Sequence, residues 1–286
     1  MPTTGPFRAA TLAAFVVAQT NAAPAADRAS LYQAMEIVTG TDMRERPRGF
    51  ARCLEDVLVK VSGDPRLRSD PRVIALAGHA ADYVVTFNYV DPIAGTRPKD
   101  DQGTYDRSEN LTVSFDRVKI DALLVSLGEQ PWHGPRPVLV PVLSVHGRKP
   151  PDYLLSAAEP LAAEQRNAFE RIAEEAGISL RFPAVSEFGK LRIRNRNAAD
   201  CGQTGSIVVL GRLEWSEAAP GWIGTWRACW QHRRHVWTAH GGGYDLAFTT
   251  IVQGATLLAS GRGTPETPQR GLPPPPGQEH NRQNGR

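Results

Sequence analysis

The chain has 286 residues, 41% hydrophobic and 22% charged, which fits a globular protein able to bury a core and excludes a low-complexity or fibrous chain. The net charge of +3 sits at the ends: Arg8 leads, four Arg against two Glu follow Ser260, and residues 27–260 balance to about zero. That balance leaves no basic stripe of the kind a nucleic-acid footprint needs, and no stretch reaches the roughly 20 apolar residues of a membrane helix.

Residues 1–26 have the pattern of a signal peptide. Arg8 precedes the apolar run AATLAAFVVA (9–18), and the small-residue stretch NAAPAA follows. The expected protein is exported, periplasmic and soluble after cleavage. The first strand falls at 31–40. Residues 46–61 place Phe50, Leu54, Val57, Leu58 and Val61 three and four apart, the spacing of an amphipathic helix. A second helix starts at Asp70, an N-cap followed by Pro71, and is expected to bury Val73, Ile74, Leu76, Ala77 and Ala80.

YVVTFNYV (83–90) and LTVSFD (111–116) alternate as strands, the first with Tyr83, Val85, Phe87 and Tyr89 on one face. The Pro-, Gly- and charge-rich loop at 91–110 joins them. It reads as a solvated loop, with a partner-binding loop as the sharper alternative. A helix at 119–127 closes the first unit. RPVLVPVLSV (136–145) then has the apolar density of a buried central strand. A helix at 159–176 turns Leu161, Phe169, Ile172 and Ala176 inward, and strands follow at 178–185 and 206–215. GWIGTWRACWQ and HVWTA form a strand pair, and residues 244–259 make the last helix.

The expected fold is α/β (α+β): two small layered units at 27–134 and 135–260, each a sheet with helices packed on it. Residues 261–286 have the composition of a disordered tail.

The turn Ser62-Gly63-Asp64 has two readings. A catalytic serine needs a base and an oxyanion hole, yet neither a GxSxG elbow nor a phosphate loop surrounds it. As a structural turn every residue has a role: Gly63 ends one helix in the left-handed conformation, Asp64 and Pro65 redirect the chain, and Asp70-Pro71 start the next. Five of the six tryptophans fall between Trp215 and Trp237. Period two puts Trp222, Gly224, Trp226, Ala228 and Trp230 on one face and Ile223, Thr225, Arg227 and Cys229 on the other. The tryptophan face is either core beneath the last helix or a candidate recognition surface, Trp222, Trp226 and Trp230, for a glycan or partner protein.

His232, His235 and His240 lack the carboxylates and spacing of a zinc site, and Gly241, Gly242 and Gly243 read as a flexible turn. Of the three cysteines, Cys201 and Cys229 are a possible disulfide in an oxidising compartment, with Cys53 left as a buried free thiol. Sequence alone leaves that pairing open.

LVKVSGDPRLRSDPRVIALAGHAADYVVTFNY resembles the most recognisable segment of the bacterial domain-of-unknown-function family numbered 2066. LTVSFDRVKIDALLVSLGEQPWHGPRPVLVPVL is similar to its strand, helix, Trp and Arg-Pro-strand order. GWIGTWRACWQHRRHVWTAHGGGYDLAFTTIVQGATLLA is similar to its tryptophan hairpin and closing helix. The resemblance implies an uncharacterised exported or envelope protein and lends no catalytic residues. The expected function is a non-enzymatic accessory protein whose partner is another envelope protein, with no nucleic acid and no cofactor. The alternatives are a glycan- or ligand-binding module using the Trp-rich hairpin, and a hydrolase with an unrecognised site.

Overall fold

The computed structural model describes residues 28–92, 108–194 and 205–266. The predicted signal peptide, most of the loop read at 91–110, Cys201 and residues 267–286 lie outside them. Among the described residues, two sheets with helices packed on them, one of three strands and one of five, give the expected α+β arrangement.

The first sheet comprises β1 (Gln33–Thr39), β2 (Val84–Val90) and β3 (Ser108–Phe115), all antiparallel. Alternation on β3 buries Leu111, Val113 and Phe115 beneath α1 (Arg46–Ser62), whose Phe50, Leu54, Val57, Leu58 and Val61 form the facing stripe. β2 departs from the expected alternation. A register shift between Val84 and Thr86 puts Val85 out of phase with Phe87 and leaves it 62% exposed.

The second helix is shorter than expected. Asp70 caps α2 (Pro71–Ala75) by accepting from the Arg72 amide at 2.8 Å, but a 3-10 turn takes over at Ala77–Tyr83. Val73 and Ala80 are buried, whereas Ile74 is exposed. α3 (Arg117–Ser126) completes this core with Ile120, Leu123 and Leu124.

In the second sheet, β4 (Val138–His146) lies parallel to β6 (Ser206–Ser216), and β7 (Gly221–Trp230) and β8 (Arg233–Gly241) follow as antiparallel neighbours. The two-residue β5 (Tyr153–Leu154) borders β4. One face packs on α4 (Ala163–Glu175) and α6 (Tyr244–Ser260). Leu161, expected inward, precedes α4 in a 3-10 turn and is exposed.

Residues 178–185 do not form the expected strand. They make a single parallel bridge, Leu180 to Leu139, and Pro183 has no amide proton to extend it. The chain instead enters α5 (Phe188–Arg194), a helix that sequence reading missed. Its Phe188 and Leu191 cover Val142 and Leu210 on the opposite face of the sheet. Among the described residues, that short cover leaves Arg212, Thr225, Arg227, Arg234 and Val236 of this face exposed.

Candidate functional site

Ser62 is fully buried, and its hydroxyl is engaged on both sides: it donates to the Leu58 carbonyl at 2.7 Å and accepts from the Asp64 amide at 3.1 Å. Gly63 adopts φ 73°, and a Cβ there would lie 2.7 Å from Ser260 Cβ and 2.8 Å from Trp132 Cε3. Asp64 caps the 3-10 turn Pro65–Ser69 through the Arg66 amide and pairs with the Arg66 guanidinium at 2.5 Å. Arg66 reaches on to the Arg262 carbonyl, and Arg262 pairs with Glu129 at 2.7 Å. The whole stretch is a joint between the units. Arg262, assigned to the tail on composition, takes part in that packing.

Arg136 strengthens the same joint. It stacks 4.1 Å from the Trp132 ring centroid and donates to the carbonyls of Lys60 and Gly177. Burial pushes its guanidinium down to about 10. Nearby, a cleft of about 710 Å³ separates β1 from α4. Burial raises Glu55, Asp56 and Glu175 above the usual carboxylate range and lowers Lys60, whose ammonium donates to the Gln33 carbonyl at 2.9 Å.

The tryptophan face turns inward and packs on the α6 side. Trp226 is fully buried, lies across Gly224 and Gly211, and donates its indole N–H to Thr250 Oγ1 on α6 at 3.0 Å. An added Cβ at either glycine would come within 2.0 or 2.3 Å of the ring, so the close approach demands glycine at both. Trp237 donates to the Thr250 carbonyl at 3.0 Å, and Trp222 and Trp230 are half-buried on the same side. Cys229 points to the opposite face and is buried.

Gln231 and His232 have φ of 48° and 62°, the left-handed pair of a tight hairpin turn. His235 pairs with Glu266 at 3.1 Å on the α6 side, and the exposed His240 takes the other face. Among the described residues no group of three or more His, Cys, Asp or Glu is placed to hold a metal ion.

The open face of the five-stranded sheet carries a groove of about 810 Å³, with Arg192 of α5 among its lining residues. Strand register places its basic residues. Arg212 on β6 pairs with Thr225, Arg227 on β7 with Val236, and Arg234 on β8 with Cys229. His146 on β4 pairs with Glu214, which pairs with Ile223. Counted along β7, the four residues occupy the levels of 223, 225, 227 and 229. Each step from His146 to Arg212, Arg227 and Arg234 therefore moves one strand across and two residues along.

Glu214 holds Arg212 at 2.6 Å, and Asp152 holds His146 Nδ1 at 2.6 Å while Ser144 Oγ lies 3.3 Å from Nε2. Ser144, Thr225 and Thr238 share a level with Arg212 and supply hydroxyls beside the stripe. Within the near-zero charge of residues 27–260, Arg212, Arg227 and Arg234 thus line one face, with Glu214 and Asp152 paired to Arg212 and His146 at its end. Its trace in the sequence was the non-tryptophan face of β7, where Thr225, Arg227 and Cys229 alternate with the core.

Residues 25–133 match the model of Domain of unknown function (DUF8605). This is a different family from the one numbered 2066, so the earlier resemblance is corrected. The match covers the first sheet and its helices and carries no activity. No curated protein and no solved structure matches the chain. No helix among the described residues is long and apolar enough to cross a membrane.

Proposed function

We propose that this chain is a non-enzymatic accessory protein of the cell envelope, exported by its leader, that works by binding an anionic ligand in the groove over β6, β7 and β8. The observation that carries this reading is the placement of Arg192, Arg212, Arg227 and Arg234, from four separate elements, around one concave site. Guanidinium groups present fixed donor forks that suit carboxylate, sulfate and phosphate, and a concave wall reduces the solvent screening that weakens exposed pairs. The reading keeps the ligand-binding alternative and moves it to the other face of the same hairpin.

The test is stabilisation by anions. Phosphate, citrate and an oligogalacturonate are expected to raise the melting temperature of the native chain, by an increment that grows logarithmically with ligand concentration above Kd. Arg227→Glu is expected to abolish the rise, while Arg44→Glu, at a site 89% exposed on the other unit, leaves it intact. Equal responses from both variants, or no response from the native chain, overturn the proposal.

A further inference from the structure

The basic residues of the groove form a line rather than a cluster. Neighbouring strands lie about 4.8 Å apart and two residues advance a strand by about 6.8 Å, so successive members of the stripe are about 8 Å apart at the backbone. Three such steps, from His146 to Arg212, Arg227 and Arg234, extend about 24 Å across four strands. One small anion cannot occupy that length, and drawing three guanidinium groups onto a single phosphate would crowd like charges together. Glu214, at 2.6 Å, also holds Arg212 in its own place along the line.

The surroundings of the stripe select among polyanions. Trp222, Trp226, Trp230 and Trp237 all pack on the α6 side, so none of them offers a base a stacking platform within the groove. α5 covers Val142 and Leu210 beside the stripe, which makes the face concave rather than a flat plane for a membrane. Hydroxyls of Ser144, Thr225 and Thr238 lie level with Arg212. These hydroxyls form one row that crosses the line at Arg212, where they can take the hydroxyls of a sugar acid beside its acid group.

Resting on the proposed anion-binding role of this face, the geometry points to an acidic polysaccharide as the ligand, laid diagonally over β4, β6, β7 and β8 with its repeated carboxylates or sulfates on His146, Arg212, Arg227 and Arg234. Binding then depends on ligand length, because only a chain reaching from Arg234 to His146 engages every member.

The experiment is calorimetric titration of the full chain at fixed ionic strength with galacturonic acid and its dimer, tetramer and octamer. Maltooctaose serves as the uncharged control and an eight-nucleotide oligothymidylate as the control for charge without sugar acids. Affinity is expected to rise at least about tenfold from dimer to octamer, and Arg227→Gln, verified as folded by its melting curve, is expected to remove about tenfold of octamer affinity. Maltooctaose and oligothymidylate are expected to bind more weakly than the octamer. If monomer and octamer bind equally, the groove takes a single small anion: the polysaccharide inference falls and the anion-binding role stands. If oligothymidylate matches the octamer, the inference falls in favour of undifferentiated polyanion binding. If no anionic probe binds, both fall.

Discussion

Ser260, the last residue of α6, donates its hydroxyl to the carbonyl of Gly63, the residue that ends α1, at 3.0 Å. The two are 197 positions apart, and their bond closes the second unit onto the first. Gly63 and Gly128 share nearly the same backbone conformation, φ 73° and 78°, but a Cβ at Gly128 meets nothing within 4 Å. Gly128→Ala is therefore expected to cost about 1 kcal/mol, the left-handed penalty alone. Gly63→Ala adds the collision with Ser260 and Trp132 and is expected to cost about 3 kcal/mol or more. Urea denaturation of both variants checks the difference, and equal losses would contradict a role for Gly63 in the joint.

Trp226 is the keystone of the second core. Trp226→Ala removes a fully buried indole from above two glycines and its bond to Thr250, with an expected loss of about 3–5 kcal/mol. Trp226→Phe keeps most of the ring and is expected to retain anion binding at native affinity. The pair of measurements is the melting temperature and an oligogalacturonate titration. Lost binding in a well-folded Trp226→Phe would return the tryptophan face to consideration as the recognition surface.

The cleft between the units has a pH signature. Glu55, Asp56 and Lys60 of α1 face Glu174 and Glu175 of α4, with Glu36 of β1 and the arginines Arg52, Arg68 and Arg171 nearby. Burial raises Glu175, so the folded chain favours its protonated form. Its contribution to stability is fully present below the ordinary carboxylate pKa and is lost as pH rises through the raised value. Glu175→Gln is expected to be more stable than the native chain at neutral pH by less than about 1 kcal/mol. That gap should close as pH falls below 4. Melting curves across this range check the sign; a gap that widens on acidification contradicts it.

The cysteines separate by compartment chemistry. Cys53 is a free thiol, fully buried on α1, with burial pushing it up to about 12. Cys229 is disulfide-bonded, which makes Cys201 its expected partner in a chain of three cysteines. Thiol titration of protein made in an oxidising compartment is expected to find no reactive thiol in the native state and one after denaturation. Three after denaturation without reductant would contradict the pairing.

What was legible in the sequence is what local periodicity encodes. α1, α6 and β6 to β8 carry unbroken spacing of apolar residues, and they occupy nearly the expected bounds. Residues 178–185 have strand composition, but Pro183 ends the pairing after one bridge. α5 is only seven residues long and contains Gly189, too little periodicity to register. The diagonal was out of reach for another reason. His146, Arg212, Arg227 and Arg234 align only through the registers of three strand pairings, one of them a parallel crossover, and no local window contains those registers.

Anion binding by the arginines of this groove is measured most directly by NMR of the arginine side-chain Nε–H signals during titration with octagalacturonate. The signals of Arg212, Arg227 and Arg234 are expected to shift together and saturate at one equivalent, with Arg44 and Arg117 unmoved. Shifts spread evenly over all arginines, or confined to those outside the groove, would contradict the account.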